Sequence, residues 1–396
     1  MSALRQPTLL DRFLRRREDW QGGLALLLCC WVPLLLTSAR LVSTIRQHAF
    51  AFDFHSEYWA SGRYVLEGRS PFAPPTPDAV SLIHTYPAGP YPAPVAVLFA
   101  PFALIPVWAA DVLFTAILVA CLFSALYLLG VRDWRCYGAT FLWAPIAFAV
   151  QTANLTLLFL LALAVVWRFR HRALASAIVV GAVISLKLFL WPLVVWLVAT
   201  RRYAAAAWSV AVAATITLGT WAMLGFAGFR DYPRVARVFA HYYETSSYTP
   251  FAFLMELGAP TNLARAGGLA LGIVTLGLVF VAARRNGSET TAFTLAVAAA
   301  LLWSPIVWLH YFALLLVPLV ILNPAFSPAW LLPAILWACP GGAAPASAWK
   351  VALPLLVCSV VLVFAARGRW GRGPIGARAR GGEGSPLGEA AHLPAA

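Results

Sequence analysis

Long apolar runs separated by short clusters of arginine constrain this chain more than any other feature. Residues 24–42, 108–130, 203–225 and 263–283 are each about the length of a helix that crosses the ~30 Å hydrocarbon layer. Of the 396 residues 61% are hydrophobic and only 11% charged, too few polar groups to cover an aqueous surface, so a soluble globular fold is excluded. Lipid accepts apolar side chains on every face, provided the backbone satisfies itself, and this predicts an all-α polytopic membrane protein. The 28 prolines and 27 glycines predict broken, kinked or short spanning helices rather than straight rods.

Net charge is +14, but 27 of the 29 cations are arginine and most flank apolar segments, as topology signals do, so no nucleic-acid partner is read from it. The six cysteines show no metal-ligand spacing. Arg12, Arg15, Arg16 and Arg17 precede the first run and predict a cytoplasmic tail over 1–23. If the clusters Arg132/Arg135, Arg168/Arg170/Arg172, Arg201/Arg202, Arg284/Arg285 and the tail from Arg367 also face the cytoplasm, one path results. It has about 12 transmembrane helices within 24–366 and outer loops at about 46–92 and 226–262. Several spans have only 13–15 residues, below the ~20 of a straight crossing. Residues 93–106 read as a re-entrant or tilted piece, and 367–396, rich in Gly, Arg and Pro, as a disordered cytoplasmic tail.

Of ten carboxylates outside the tails, seven lie in the two outer loops, among them Asp53, Glu57 and Glu67. The spans carry almost none, contrary to a proton-coupled transporter, whose ionisable groups sit near mid-membrane. Asp53 follows the first span closely, where a base could reach a lipid head group; an N-cap of a helix over 56–67 is the other reading. Tyr58, Gly62, Val65 and Leu66 share one face of that helix and predict that it lies on the bilayer. His55 follows Asp53 and could join it on a cation. Pro87, Pro90, Pro92 and Pro94 forbid a regular helix, so Tyr86 and Tyr91 stand in a shaped loop, either against a sugar ring or as punctuation before the next run.

Gln151, Asn154 and Lys187 interrupt apolar segments at the outer level of the path, and His310 begins a span there, with Trp308 close by. Lys187 either snorkels or meets an anion such as a phosphate, and His310 either makes a structural hydrogen bond or donates to that phosphate. In the second loop Phe229, Tyr232, Val235, Phe239 and Tyr242 recur at helical spacing opposite Arg230, Arg234, Arg237 and His241, the pattern of a short interfacial helix. Arg234 and Arg237 could attract a phospholipid-linked ligand or ordinary anionic head groups.

Ordered pieces of the chain resemble the family 87 GT-C glycosyltransferases, the group that includes mycobacterial mannosyltransferases. They are Asp53 with Tyr58, Ala60 and Gly68-Arg69-Ser70-Pro71-Phe72; Tyr86-Pro87 with Pro101 and Ile105-Pro106; Gln151-Thr152-Ala153-Asn154; Leu186-Lys187; and Ser304-Pro305 with Trp308 and His310. The resemblance spans about residues 50–320. Thr152-Ala153 departs from a Gly-Gln-x-Asn style of junction, and Ala88-Gly89-Pro90 from a tighter Tyr-Pro-Pro element. The resemblance implies a GT-C-like fold and an inverting transferase of the plasma membrane, active on its extracytoplasmic side. It also implies a polyprenyl-phosphate-linked sugar donor, most simply mannose, and a glycolipid or glycan acceptor. Asp53 would be the general base, Lys187 and His310, with Arg234 and Arg237, would serve the donor phosphate, and His55, Tyr86, Gln151, Asn154 and Trp308 would line the substrates.

The residue chemistry agrees with that implication. A single inverting displacement needs one carboxylate to take the acceptor proton, because the phosphate leaves as a stable anion, whereas glycosidases need two. The lack of an Asp-x-Asp pair accords with a monophosphate donor, and neither metal nor cofactor is expected. Arabinofuranosyl transfer from a similar carrier, a lipid or sugar transporter, and a non-catalytic scaffold remain as alternatives.

Overall fold

The computed structural model describes Trp20 and residues 22–72, 89–284, 289–339 and 347–367, and among these it holds helices and no strand. The terminal tails and Tyr86 lie outside the described residues. The first helix, α1 (Gly22–Arg46), includes a π-helical stretch, Leu27–Trp31. Next, α2 is a π-helix, Phe54–Trp59, continuing as the α-helix Ala60–Leu66. A short α3 (Ala93–Leu104) leads into α4 (Val107–Leu128). Then come α5 (Trp134–Ala139), α6 (Ala144–Thr152), α7 (Thr156–Arg168), α8 (Ala173–Leu186), α9 (Leu188–Ala199) and α10 (Tyr203–Met223). The second half holds α11 (Tyr232–Tyr243), α12 (Pro250–Glu256), α13 (Thr261–Arg284), α14 (Glu289–Trp303), α15 (Leu309–Leu322), α16 (Pro328–Ala338) and α17 (Ala348–Arg367).

Four helices, α1, α4, α10 and α13, are long and apolar enough to cross a membrane, and α6 with α7 would form a fifth span bent by 119°. The other apolar helices are shorter. At ~1.5 Å per residue, the 14 residues of α8 extend about 21 Å, less than the hydrocarbon thickness. The described residues are therefore all-helical, with several helices long and apolar enough to cross a membrane, and the shortness of the others follows from identifiable breaks. Ala153 is left-handed (φ 51°, ψ 48°) and ends α6. Lys187 is extended (φ −156°, ψ 109°) between α8 and α9, and Ser304-Pro305 interrupts the chain between α14 and α15.

Those breaks share one end of the bundle. At the opposite end, Arg170 from the turn after α7 and Arg202 from the turn after α9 both pair with Glu289, the first residue of α14. So α7 runs from Asn154 toward Glu289, α8 returns to Lys187, α9 descends again, and α14 climbs toward Ser304 and His310. Over these four helices the alternation is that of the charge-cluster path, of whose twelve expected crossings four described helices, or five with the bent pair, are long and apolar enough. Packing of α8 on α10, α13 on α14, α4 on α7, and α6 and α7 on the first turns of α15 encloses the large apolar core.

Two interfacial expectations change. In α2, Tyr58 is fully buried, and a Cβ on Gly62 would come within 2.7 Å of the Phe99 backbone, so this face packs on α3 instead of lying on the bilayer. Leu66 stays exposed. In α11, Val235 and Phe239 bury against Phe72, Ala93 and Trp221, so the middle of its apolar face is covered by protein, while Phe229 just before it and Tyr242 near its end stay exposed.

Candidate functional site

The site is built on α2. After α1, His48 and Ala51 adopt left-handed backbone (φ 54° and 52°), turning the chain back so that the Ala51 N–H donates to the Gln151 carbonyl at 2.8 Å. Asp53 follows with helical dihedrals and makes no capping bond, which overturns the N-cap reading and leaves its carboxyl free for other work. Phe54 stacks on Phe114 at 4.7 Å and Tyr58 on Phe99 at 5.0 Å, anchoring α2 to α4 and α3. Aromatic pairs of this kind contribute about 0.5–1.5 kcal/mol each beyond burial, which makes α2 a firm platform.

Asn154, 1% exposed, connects this platform to the α6–α7 bend. Its Oδ1 accepts from the Thr156 N–H at 3.1 Å and the Thr156 hydroxyl at 2.8 Å. A backbone N–H can only donate, so the amide orientation is fixed and Nδ2 is the end that donates to Asp53 Oδ2 at 2.8 Å and to the Tyr58 hydroxyl at 3.3 Å. From Tyr58 the network runs on to the Tyr91 hydroxyl at 2.9 Å. Lys187 Nζ donates to Tyr91 at 3.0 Å and also to the Tyr311 hydroxyl, and sits 4.5 Å from the centre of each ring. Residues from α2, the segment before α3, the α6–α7 bend, the α8–α9 break and α15 thus form one polar cluster.

Burial pushes the Asp53 carboxyl above its ordinary range, while the Asn154 hydrogen bond and the nearby Lys187 charge pull it back. Glu57, one turn along α2, is pushed well above by burial and by Asp53, against the opposing pull of Lys187. The chain leaves Glu57 little room: a Cβ on Gly89, itself at φ 51°, would lie 2.9 Å from the Glu57 carboxyl carbon.

Of the residues singled out in the sequence, Asp53, Tyr58, Tyr91, Asn154 and Lys187 meet in this cluster. His310 is 4% exposed, its ring 4.7 Å from that of Tyr311, and its Nε2 has no hydrogen-bond partner among the described residues. Trp308 packs its ring 5.3 Å from Tyr243 at the end of α11. Gln151 lies at the bend, but its side-chain oxygen accepts from Arg40 Nε at 2.6 Å, which occupies it in holding α1 to α6. His55 points to another side of α2, where Nδ1 is 3.6 Å from Asp111 Oδ2 on α4. Arg234 and Arg237 are on the exposed face of α11, and Arg237 bonds the Pro233 carbonyl. Glu57 and Tyr311 were not singled out, although Glu57 falls four residues after Asp53, the spacing that puts two helical side chains on one face.

No group of three or more His, Cys, Asp or Glu placed to hold a metal occurs among the described residues. What the cluster offers is a carboxylate held by an amide donor, a lysine, and an unpartnered imidazole nitrogen at one end of a membrane bundle. A carboxylate can take a proton, and the lysine can stabilise an anion. Residues 90–318, more than half of the chain, match Glycosyltransferase family 87. No curated protein and no solved structure matches it.

Proposed function

The chain belongs to glycosyltransferase family 87 and is a membrane glycosyltransferase, and from that premise we propose that it moves a sugar from a polyprenyl-phosphate donor to a glycolipid or glycan acceptor with inversion. Mannose is the sugar this reading takes first. An acceptor hydroxyl attacks the anomeric carbon while its proton passes to Asp53. The bond from that carbon to the phosphate oxygen breaks, and the lipid phosphate leaves as an anion beside Lys187 and His310.

The reading is supported above all by the hydrogen-bonded path from Asp53 through Asn154, Tyr58 and Tyr91 to Lys187, which joins a base and a cation in one site. Asn154 donates to Asp53 and so favours the ionised form that a base requires. His310, with a buried ring nitrogen free, is suited to meet a phosphate oxygen. Arg234 and Arg237, exposed on α11, would act at longer range by attracting the anionic donor to this end of the protein.

Within this proposal the path of twelve crossings puts the site on the extracytoplasmic face of the plasma membrane. Cysteines placed at Glu67 or Glu244 are then expected to react with an impermeant reagent added outside intact cells, and labelling only after permeabilisation would reverse the orientation. The chemistry is tested with matched membranes of wild type and Asp53→Asn, assayed for sugar transfer from the lipid donor. Equal rates would remove Asp53 as the base.

A further inference from the structure

Glu57 stands in the π-helical turn of α2, four residues after Asp53, which immediately precedes that turn and whose charge reaches it. The described groups whose charge or dipole reaches Glu57 come from several elements. They are Asp53 and Tyr58 of its own helix, Tyr91 before α3, Lys187 between α8 and α9, Tyr243 at the end of α11 and Tyr311 of α15. Lys187 is the only cation among them, and it faces two carboxyls. Two half-buried carboxyls that share a single cation resist double ionisation at neutral pH.

The amide of Asn154 decides which of the two keeps the proton. Its orientation is fixed by the Thr156 N–H, so it presents a donor to Asp53 Oδ2, and an oxygen that accepts this bond is stabilised as carboxylate. Lys187 reaches both carboxyls, Glu57 more strongly than Asp53, but it balances only one negative charge, and the Asn154 donor assigns that charge to Asp53 and leaves Glu57 as the neutral member.

We propose that Glu57 is a protonated carboxylic acid that donates a hydrogen bond to an oxygen of the bound sugar or its phosphate, a positioning residue complementary to the ionised Asp53. This rests on the assignment of Asp53 as base. It gives the pair two distinct roles, one acceptor and one donor, from side chains of the same chemical type. The seat under Gly89 serves that role, because the left-handed glycine lets the chain approach the Glu57 carboxyl, which a side chain at that position would push aside.

The isostere Glu57→Gln is the decisive variant, since an amide is a permanent neutral donor of nearly the same shape. With the full-length protein and a polyprenyl-phosphate sugar donor, Glu57→Gln is expected to remain within about tenfold of wild type. Glu57→Ala is expected to fall about a hundredfold, the scale of one lost hydrogen bond to a charged oxygen. Infrared spectra at neutral pH supply a readout independent of turnover. Wild type should show the carbonyl absorption of a protonated carboxyl, and Glu57→Gln should lack it. The proposal is overturned if Glu57→Gln falls as far as Glu57→Ala, or if the absorption is missing from wild type or survives in Glu57→Gln. Full transfer by Asp53→Asn would instead defeat the general-base reading, and the infrared result would still report on Glu57.

Discussion

At the Arg168 end of α7 one carboxylate is clamped by two arginines, Glu289 lying 3.3 Å from Arg170 and 2.6 Å from Arg202. At the Thr156 end the balance is reversed: one lysine serves two carboxyls and spends its hydrogen bonds on tyrosine hydroxyls. The two ends are about 20 Å apart along the same thirteen-residue helix. The first cluster has two arginines for its one carboxylate and ties α14 to the turns after α7 and α9. The second has capacity to spare, an unpartnered imidazole nitrogen and neutral donors that can turn toward a ligand, as a site that must receive an anionic substrate requires.

Asp53→Asn is the substitution that should separate the two ends most sharply. It is expected to lower transfer about a thousandfold, within the range that a general base supplies, while the protein folds and inserts as wild type. Transfer assays on equal amounts of folded protein check it. Asn154→Ala comes next, with a fall of about thirtyfold at neutral pH from the loss of a hydrogen bond to a charged group. The pH profile carries the sign. Activity needs ionised Asp53, so it declines as pH falls through the raised carboxyl value. Without the Asn154 donor that value rises further, and the acid limb must move to higher pH. An acid limb that stays in place would make Asn154 a packing residue only.

Glu289→Gln probes the clamped end. It leaves Arg170 and Arg202, whose side chains are 26% and 18% exposed, without their counter-charge, and should cost about 1–2 kcal/mol of stability, seen as a lower melting temperature in detergent. Transfer per folded molecule should not change, because this cluster takes no part at the other end of α7. A loss of specific activity equal to that of Asn154→Ala would erase the distinction between structural and reactive clusters.

Much of the site was legible because its residues interrupt apolar sequence. A lysine after Leu186, an asparagine after Ala153 and a histidine after Leu309 stand out in runs that are otherwise mostly apolar, and the fold puts each at or beside a helix break. The sequence hid groups that look ordinary where they stand. Glu57 reads as one more acid in AFDFHSEYW, and nothing marks the π-helical turn that carries it beside Asp53. Tyr311 sits among Leu, Phe and Ala and reads as core. Gln151 was legible as a polar break, but its engagement by Arg40 joins positions 111 residues apart and depends on how α1 crosses α6. The helices themselves follow the apolar runs, whereas their lengths depend on breaks such as Ala153 that no residue type announces.

Ala153 gives the mildest test, and it asks what sets the angle between the clamped and the reactive ends. Its left-handed backbone costs a non-glycine residue about 1–2 kcal/mol, which glycine would recover. Against this stand the greater chain entropy of glycine, about 0.5–1 kcal/mol, and the loss of one buried methyl, about 0.8 kcal/mol. The terms nearly cancel, so Ala153→Gly should shift stability by less than about 1 kcal/mol. Transfer should also be unchanged, because Asn154 is fixed from its far side by Thr156 and from its near side by Asp53 and Tyr58, whatever residue precedes it. If melting is unaltered and transfer nevertheless drops, the angle is held by the Ala153 methyl and not by the asparagine.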